Sequence, residues 1–167
     1  MYPMTESHSR DAIPAAAAAP KPTGKRELPL VLVVDDFEDN RSMYAVYLTY
    51  SGYDVIEAAD GAEAVELAGE RLPDLVVMDL SLPIMDGWEA TRRLKGDPRT
   101  RHIPIIALTG HALDGHSRDA RNAGCNAFLA KPCLPETLVA KVQELMQTAA
   151  MTQSDKGEGK GGEADSR

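Results

Sequence analysis

The chain has 167 residues, a formal net charge of −8 and a sequence pI near 5.0, which allows one domain with a real hydrophobic core plus tails. That charge argues against a sequence-independent grip on DNA or RNA, which rests on clustered Lys and Arg, and it favours a protein partner. No apolar run approaches the about 20 residues of a membrane span, and Ala15 to Ala19 are too short and lack the basic cluster of a secretory signal.

Residues 1–27 mix Pro, Ala, Ser, Thr and charges without an apolar period, and 152–167 are Gly, Glu, Lys, Asp and Ser. Both read as disordered tails flanking one domain over 28–151. The first strand is Leu30–Val34, followed by a helix over 40–50 that Gly52 ends. In that helix Met43, Val46, Tyr47 and Tyr50 fall at i, i+3, i+4 and i+7 and form the expected inward stripe. A strand over 53–57 leads to a helix over 62–70, with Ala64, Leu67 and Ala68 inward and Pro73 marking the stop.

The third strand, 75–78, precedes the turn Pro83-Ile84-Met85-Asp86-Gly87 and a helix over 88–95, with Trp88 at a packing position. A strand at 105–108, a helix over 113–122 and a strand at Ala127–Ala130 follow. The last helix is signalled by Leu138, Val142, Leu145, Met146 and Ala149 behind Pro135, a residue suited to a first-turn position. Five alternating βα units with Val-, Ile- and Leu-rich strands predict a doubly wound α/β fold. Its parallel sheet is buried on both faces, with right-handed crossovers.

In such sheets the ligand binds beyond the carboxyl ends of the strands. Here those ends deliver Asp35-Asp36, Asp79, Thr109 and Lys131 to one crevice. Adjacent acids are costly together unless a cation neutralises them, and hard carboxylate oxygens suit Mg²⁺. Asp79 can attack phosphorus as a carboxylate nucleophile. Lys131 can pair with phosphoryl oxygens, and the Thr109 hydroxyl can donate to one of them. In-line phosphoryl transfer asks for little beyond such positioning and charge neutralisation. Cys125 and Cys133 have no metal-type spacing and suit a reduced cytoplasmic compartment.

Four blocks carry a family likeness: Val31-Leu32-Val33-Val34-Asp35-Asp36; Asp79-Leu80-Ser81-Leu82-Pro83-Ile84-Met85-Asp86-Gly87-Trp88; Ala107-Leu108-Thr109-Gly110; and Phe128-Leu129-Ala130-Lys131-Pro132. In this order they resemble the receiver domain of two-component response regulators, over about residues 28–151. The resemblance implies a flavodoxin-like sheet of order 2-1-3-4-5. It implies that Asp79 takes a phosphoryl group, with Mg²⁺, from a phosphohistidine on a sensor histidine kinase or a histidine phosphotransfer protein. Asp36 and Asp79 would bind the metal directly, Asp35 through water and Ser81 through its backbone carbonyl.

Thr109 and Phe128 would act as the switch pair, Ser81 and His111 would tune phosphoryl lifetime, and the Lys131–Pro132 bond would be cis. The run Asp35-Asp36-Phe37-Glu38-Asp39-Asn40-Arg41 also resembles receivers that work with hybrid kinases. On pattern alone, Phe128 reads as core. With no second domain after 151, the expected protein is a chemotaxis-regulator-like, stand-alone receiver. It would be a signalling protein rather than an enzyme, passing output to a downstream target or relaying the phosphoryl group. Two alternatives are an unphosphorylated docking scaffold and an aspartate-based phosphatase. The latter places its nucleophile on the first strand, whereas here the isolated acid follows the third.

Overall fold

The computed structural model describes residues 26–110 and 122–154. Five parallel strands form one sheet: β1 (Leu30–Val34), β2 (Asp54–Ala58), β3 (Leu75–Asp79), β4 (Ile105–Thr109) and β5 (Ala127–Ala130). Their order is β2-β1-β3-β4-β5, as the resemblance implied. β1 and β3 are buried at every position, as fits central strands covered on both faces. The described helices are α1 (Glu38–Tyr50), α2 (Gly61–Arg71), α3 (Gly87–Gly96) and the C-terminal α4 (Pro135–Ser154). The helix expected over 113–122 lies almost wholly outside the described residues. The C-terminal helix continues to Ser154, past the expected boundary at 151.

Among the described residues two core clusters, one on each face, hold the sheet. One gathers Val31, Val33, Tyr44, Leu48, Leu138 and Val142. The other gathers Leu32, Val34, Ala64, Ala68, Ala90 and Leu94. Each fully buried Leu, Ile or Val contributes about 1.5–3 kcal/mol relative to exposure, so the alternating faces of β1 and β3 anchor both layers. Among the described residues no helix is long and apolar enough to cross a membrane.

α1 corrects the sequence reading. Its buried residues are Tyr44 and Leu48, whereas Val46, Tyr47 and Tyr50 of the expected stripe are 52%, 41% and 89% exposed, and only Met43 packs partly against the core. The inward arc is displaced by about one residue step, ~100°, round the helix. Arg41 explains why. Its guanidinium donates to the Asp35 carbonyl and pairs with Glu57, so a charged residue shares the inward arc with Tyr44 and Leu48. Apolar periodicity had no means of choosing that arc.

The other helices follow their patterns more closely. Ala64 and Ala68 of α2 are fully buried and Leu67 is partly so. Asp60 caps α2 by accepting from the Glu63 amide, and the helix stops at Leu72, in the left-handed conformation, just before Pro73. Asp86 caps α3 in the same way through the Glu89 amide. The buried arc of α3 runs through Gly87, Ala90, Thr91 and Leu94. Trp88, expected at a packing position, is only partly buried and belongs to neither core cluster.

Candidate functional site

The carboxyl ends of β1 and β3 are adjacent in the sheet, with Val34 opposite Met78. The next residue along each strand is therefore an acid: Asp35, fully buried, and Asp79, 3% exposed. Asp36 follows in the loop and is exposed. One carboxylate oxygen from each of the three can be chosen so that all lie within 4.8 Å of one another. Sequence proximity joins only two of these acids. The third arrives because β1 and β3 pair in register.

Each buried acid is oriented by a local backbone donor. Asp35 Oδ1 accepts from the Phe37 amide at 2.9 Å, and Asp79 Oδ1 accepts from the Ser81 amide at 3.0 Å. The other oxygen of each faces Lys131, whose Nζ donates to Asp79 Oδ2 at 2.7 Å and to Asp35 Oδ2 at 3.0 Å. Burial acts most strongly on the Lys131 pKa and lowers it. The two hydrogen bonds and the charges of Asp79 and Asp35 together outweigh that effect and leave it raised. Lys131 therefore stays an ammonium ion through the physiological range.

The strand order also brings the remaining groups to this end. Thr109 closes β4 one residue beyond Leu108, the register partner of Asp79. Its carbonyl accepts from the Lys131 amide at 2.7 Å, tying the end of β4 to the lysine-bearing loop. The Lys131–Pro132 bond is cis. Ser81 is exposed, two residues beyond Asp79. Phe128 sits mid-strand in β5 opposite Ala107 and is partly buried. His111 lies outside the described residues.

Beneath Asp79 the chain turns sharply. The Gly87 amide donates to the Leu80 carbonyl at 3.1 Å, and a Cβ at Gly87 would collide with the Asp79 carbonyl oxygen and lie 2.7 Å from Leu80 Cα. Only glycine allows α3 to start this close to the acid. Within the turn, Ile84 adopts φ 67, an outlier for a β-branched residue, and its side chain is 87% exposed. Sequence reasoning named Gly87 only within a turn and a family-like block and Arg41 only within the run from Asp35, and it passed over Tyr44; the contacts of Arg41 and Tyr44 are made to backbone carbonyls.

The donor set fits a divalent cation. Three carboxylates against one ammonium leave a formal charge of −2, and hard oxygen ligands with room for water are what Mg²⁺ prefers. The exposed Asp36 leaves one side of the cluster open to solvent.

Residues 31–143 match the family described as the response regulator receiver domain. The polar-differentiation response regulator DivK of Brucella anthropi is 42% identical over 102 residues, 61% of this chain and 83% of that protein. The chemotaxis protein CheY4 of Vibrio cholerae shares the fold with a TM-score of 0.67 at 32% identity, over 70% of this chain and 98% of that one. The receiver domain of a sensor histidine kinase from Pseudomonas aeruginosa, solved with a magnesium ion coordinated in its active-site cleft, gives a TM-score of 0.64 at 36% identity. That match covers 72% of this chain and 96% of that one. With the 2-1-3-4-5 sheet and the acid cluster at its carboxyl edge, these matches establish that the chain belongs to the response regulator receiver family of two-component signalling.

Proposed function

We propose that Asp79 accepts a phosphoryl group from a phosphohistidine in a Mg²⁺-dependent reaction. The observation that carries this reading is the Lys131 ammonium 2.7 Å from Asp79 Oδ2, inside a cluster whose two other acids lie within ligand distance of Asp79. An Asp79 oxygen forms the new bond to phosphorus as the phosphorus–nitrogen bond breaks, and its electron pair stays with the departing imidazole. Lys131 neutralises the growing charge on the phosphoryl oxygens, and the Thr109 hydroxyl donates to one of them. Asp36, Asp79, the Ser81 carbonyl and, through water, Asp35 would hold Mg²⁺, which when bound supplies further charge neutralisation.

Three exposed apolar side chains support a protein as the phosphoryl donor. Phe37, Ile84 and Leu134 are 66%, 87% and 68% exposed, and each lies in a loop that follows β1, β3 or β5 at the acidic end of the sheet. A small-molecule donor has no use for such a rim, whereas a helical phosphohistidine protein can bury it. A sensor histidine kinase, hybrid or not, or a histidine phosphotransfer protein fits. On this reading Thr109 and Phe128 carry the change outward to a downstream target, or Asp79 relays the group to a second histidine. On the same reading Ser81 and, by its sequence position two residues after Thr109, His111 tune phosphoryl lifetime.

The test is intact-mass spectrometry after incubation with acetyl phosphate and Mg²⁺, with Asp79→Asn and EDTA as controls, followed by beryllofluoride binding. A single phosphoryl adduct that needs Mg²⁺ and disappears in Asp79→Asn is the expected result. No adduct and no beryllofluoride binding would return the chain to the docking-scaffold alternative.

A further inference from the structure

Side chains of α1 donate to two backbone carbonyls, that of Asp35 in the acid cluster and that of Cys133 in the segment after Lys131. Arg41 Nη1 reaches the Asp35 carbonyl at 2.8 Å, while its Nε pairs with Glu57 at 3.0 Å. Three residues further along the same arc, the Tyr44 hydroxyl donates to the Cys133 carbonyl at 3.2 Å. Asp35 belongs to the acid cluster, and Cys133 lies two residues past Lys131, whose ammonium bonds to that cluster. A single helical arc therefore bonds both to the backbone of Asp35 and to the segment that follows Lys131.

The second contact answers a local shortage of donors. In the segment from Lys131 to Pro135, Pro132 and Pro135 have no N–H. The first backbone bond of α4 runs from the Leu138 amide to the Leu134 carbonyl, one residue beyond Cys133. The Cys133 carbonyl is thus outside the helical ladder, while its residue packs in the core cluster with Tyr44, Leu48 and Leu138. A carbonyl in that position needs a partner, and the side chain from α1 supplies it. Tyr44 is only 3% exposed. Burial, followed by the electrostatic influence that the Cys133 thiol exerts once ionised, holds its phenol above the usual range, and at neutral pH the hydroxyl keeps its proton and remains a donor.

We propose that Tyr44 is a positioning residue for phosphoryl transfer: through the Cys133 carbonyl it fixes the loop that carries Lys131, and so sets the affinity of the pocket for phosphoryl oxygens. The proposal rests on the reading of Asp79 as the acceptor. The Tyr44 hydroxyl is engaged with the Cys133 carbonyl. Its loss should therefore act on the lysine side of the pocket and spare the metal side, which Arg41 holds.

The experiment compares wild type, Tyr44→Phe and Leu48→Val in the full chain. Leu48→Val trims the same core from the same helical arc without touching a polar group. Three quantities are read: amide hydrogen exchange over 133–138, Mg²⁺ affinity, and beryllofluoride affinity at saturating Mg²⁺. Tyr44→Phe should speed exchange over 133–138, leave Mg²⁺ affinity unchanged and weaken beryllofluoride binding about three- to tenfold, the effect of losing one buried hydrogen bond. Leu48→Val should lower Tm without moving beryllofluoride affinity.

The assignment is overturned if Tyr44→Phe matches wild type in exchange and fluoride affinity. A parallel loss of Mg²⁺ affinity, a collapse of its folded circular-dichroism signal, or an equal fluoride effect in Leu48→Val overturns it too, since each marks general packing. A wild type that binds no beryllofluoride overturns the underlying reading of Asp79 and the affinity claim with it. Normal wild-type binding left intact in Tyr44→Phe removes the Tyr44 assignment alone.

Discussion

Lys131 Nζ and Asp79 Oδ2 are 2.7 Å apart although 52 residues separate them in the chain, and Asp79 is almost fully buried while the lysine keeps a partly exposed side chain. The ammonium bridges the two buried acids, Asp35 and Asp79. Lys131→Ala should leave Asp35 and Asp79 each short of one charged donor and cost about 1–3 kcal/mol, read as a lower urea midpoint in EDTA. Saturating Mg²⁺ should restore more stability to this variant than to wild type. A variant as stable as wild type in EDTA would show that solvent already screens the acids.

Asp36 is the exposed member of the cluster, so its charge weighs little on folding, and on the proposed reading it serves Mg²⁺ binding. Asp36→Asn should raise Tm slightly in EDTA by removing one like charge. In wild type a ligand that binds the folded state alone adds about 2.7 kcal/mol at one hundred times its Kd. The Mg²⁺-dependent part of the thermal shift should largely vanish in the variant. An undiminished Mg²⁺ shift would remove Asp36 from the ligand set.

Gly87 lets the start of α3 sit against the backbone of Asp79 and Leu80, with no space for a Cβ. Because the obstacles are main-chain atoms of the strand end, Gly87→Ala should destabilise by about 1–3 kcal/mol or more and displace Asp79. Chemical denaturation and acetyl-phosphate labelling should therefore fall together. Normal labelling of a stable Gly87→Ala protein would contradict the close approach.

The apolar rim separates two kinds of donor. Ile84→Asp keeps the acid cluster intact but places a charge on a surface that a phosphohistidine protein would bury. Transfer from such a protein should drop about tenfold or more, the usual effect of altering a central interface residue, while labelling by acetyl phosphate should change little. Equal loss with both donors would place Ile84 in the chemistry instead.

Alkaline pH should unfold the protein in a definable order. Burial raises the thiols of Cys125 and Cys133 and the phenols of Tyr44 and Tyr53. A group whose folded pKa is raised contributes stability that is whole below its unfolded pKa and lost as pH rises through the folded value. The thiols act first, above about pH 8.5, and the phenols from about pH 10. Lys95 opposes them, because burial lowers its pKa and the folded state gains as the unfolded chain alone holds the extra proton. Tm measured between pH 8 and pH 10.5 should fall, and a Cys125→Ala, Cys133→Ala double variant should delay the onset.

The sequence by itself determined the alternation of strands and helices, because Val31 to Val34, Leu75 to Met78 and Ile105 to Leu108 are short apolar runs that only a doubly covered parallel sheet can bury. It also determined which polar residues end those strands, and so which residues the candidate site draws on. What tertiary structure decided was every relationship that crosses strands or reaches a backbone atom. Register brought Asp79 beside Asp35, and the β4–β5 pairing delivered Lys131 to both acids. The inward arc of α1 was not legible from apolar spacing, because Arg41 and Tyr44 are drawn in by the carbonyls of Asp35 and Cys133. Carbonyls are present at every residue and carry no sequence signature, so only the folded chain shows which of them need a donor.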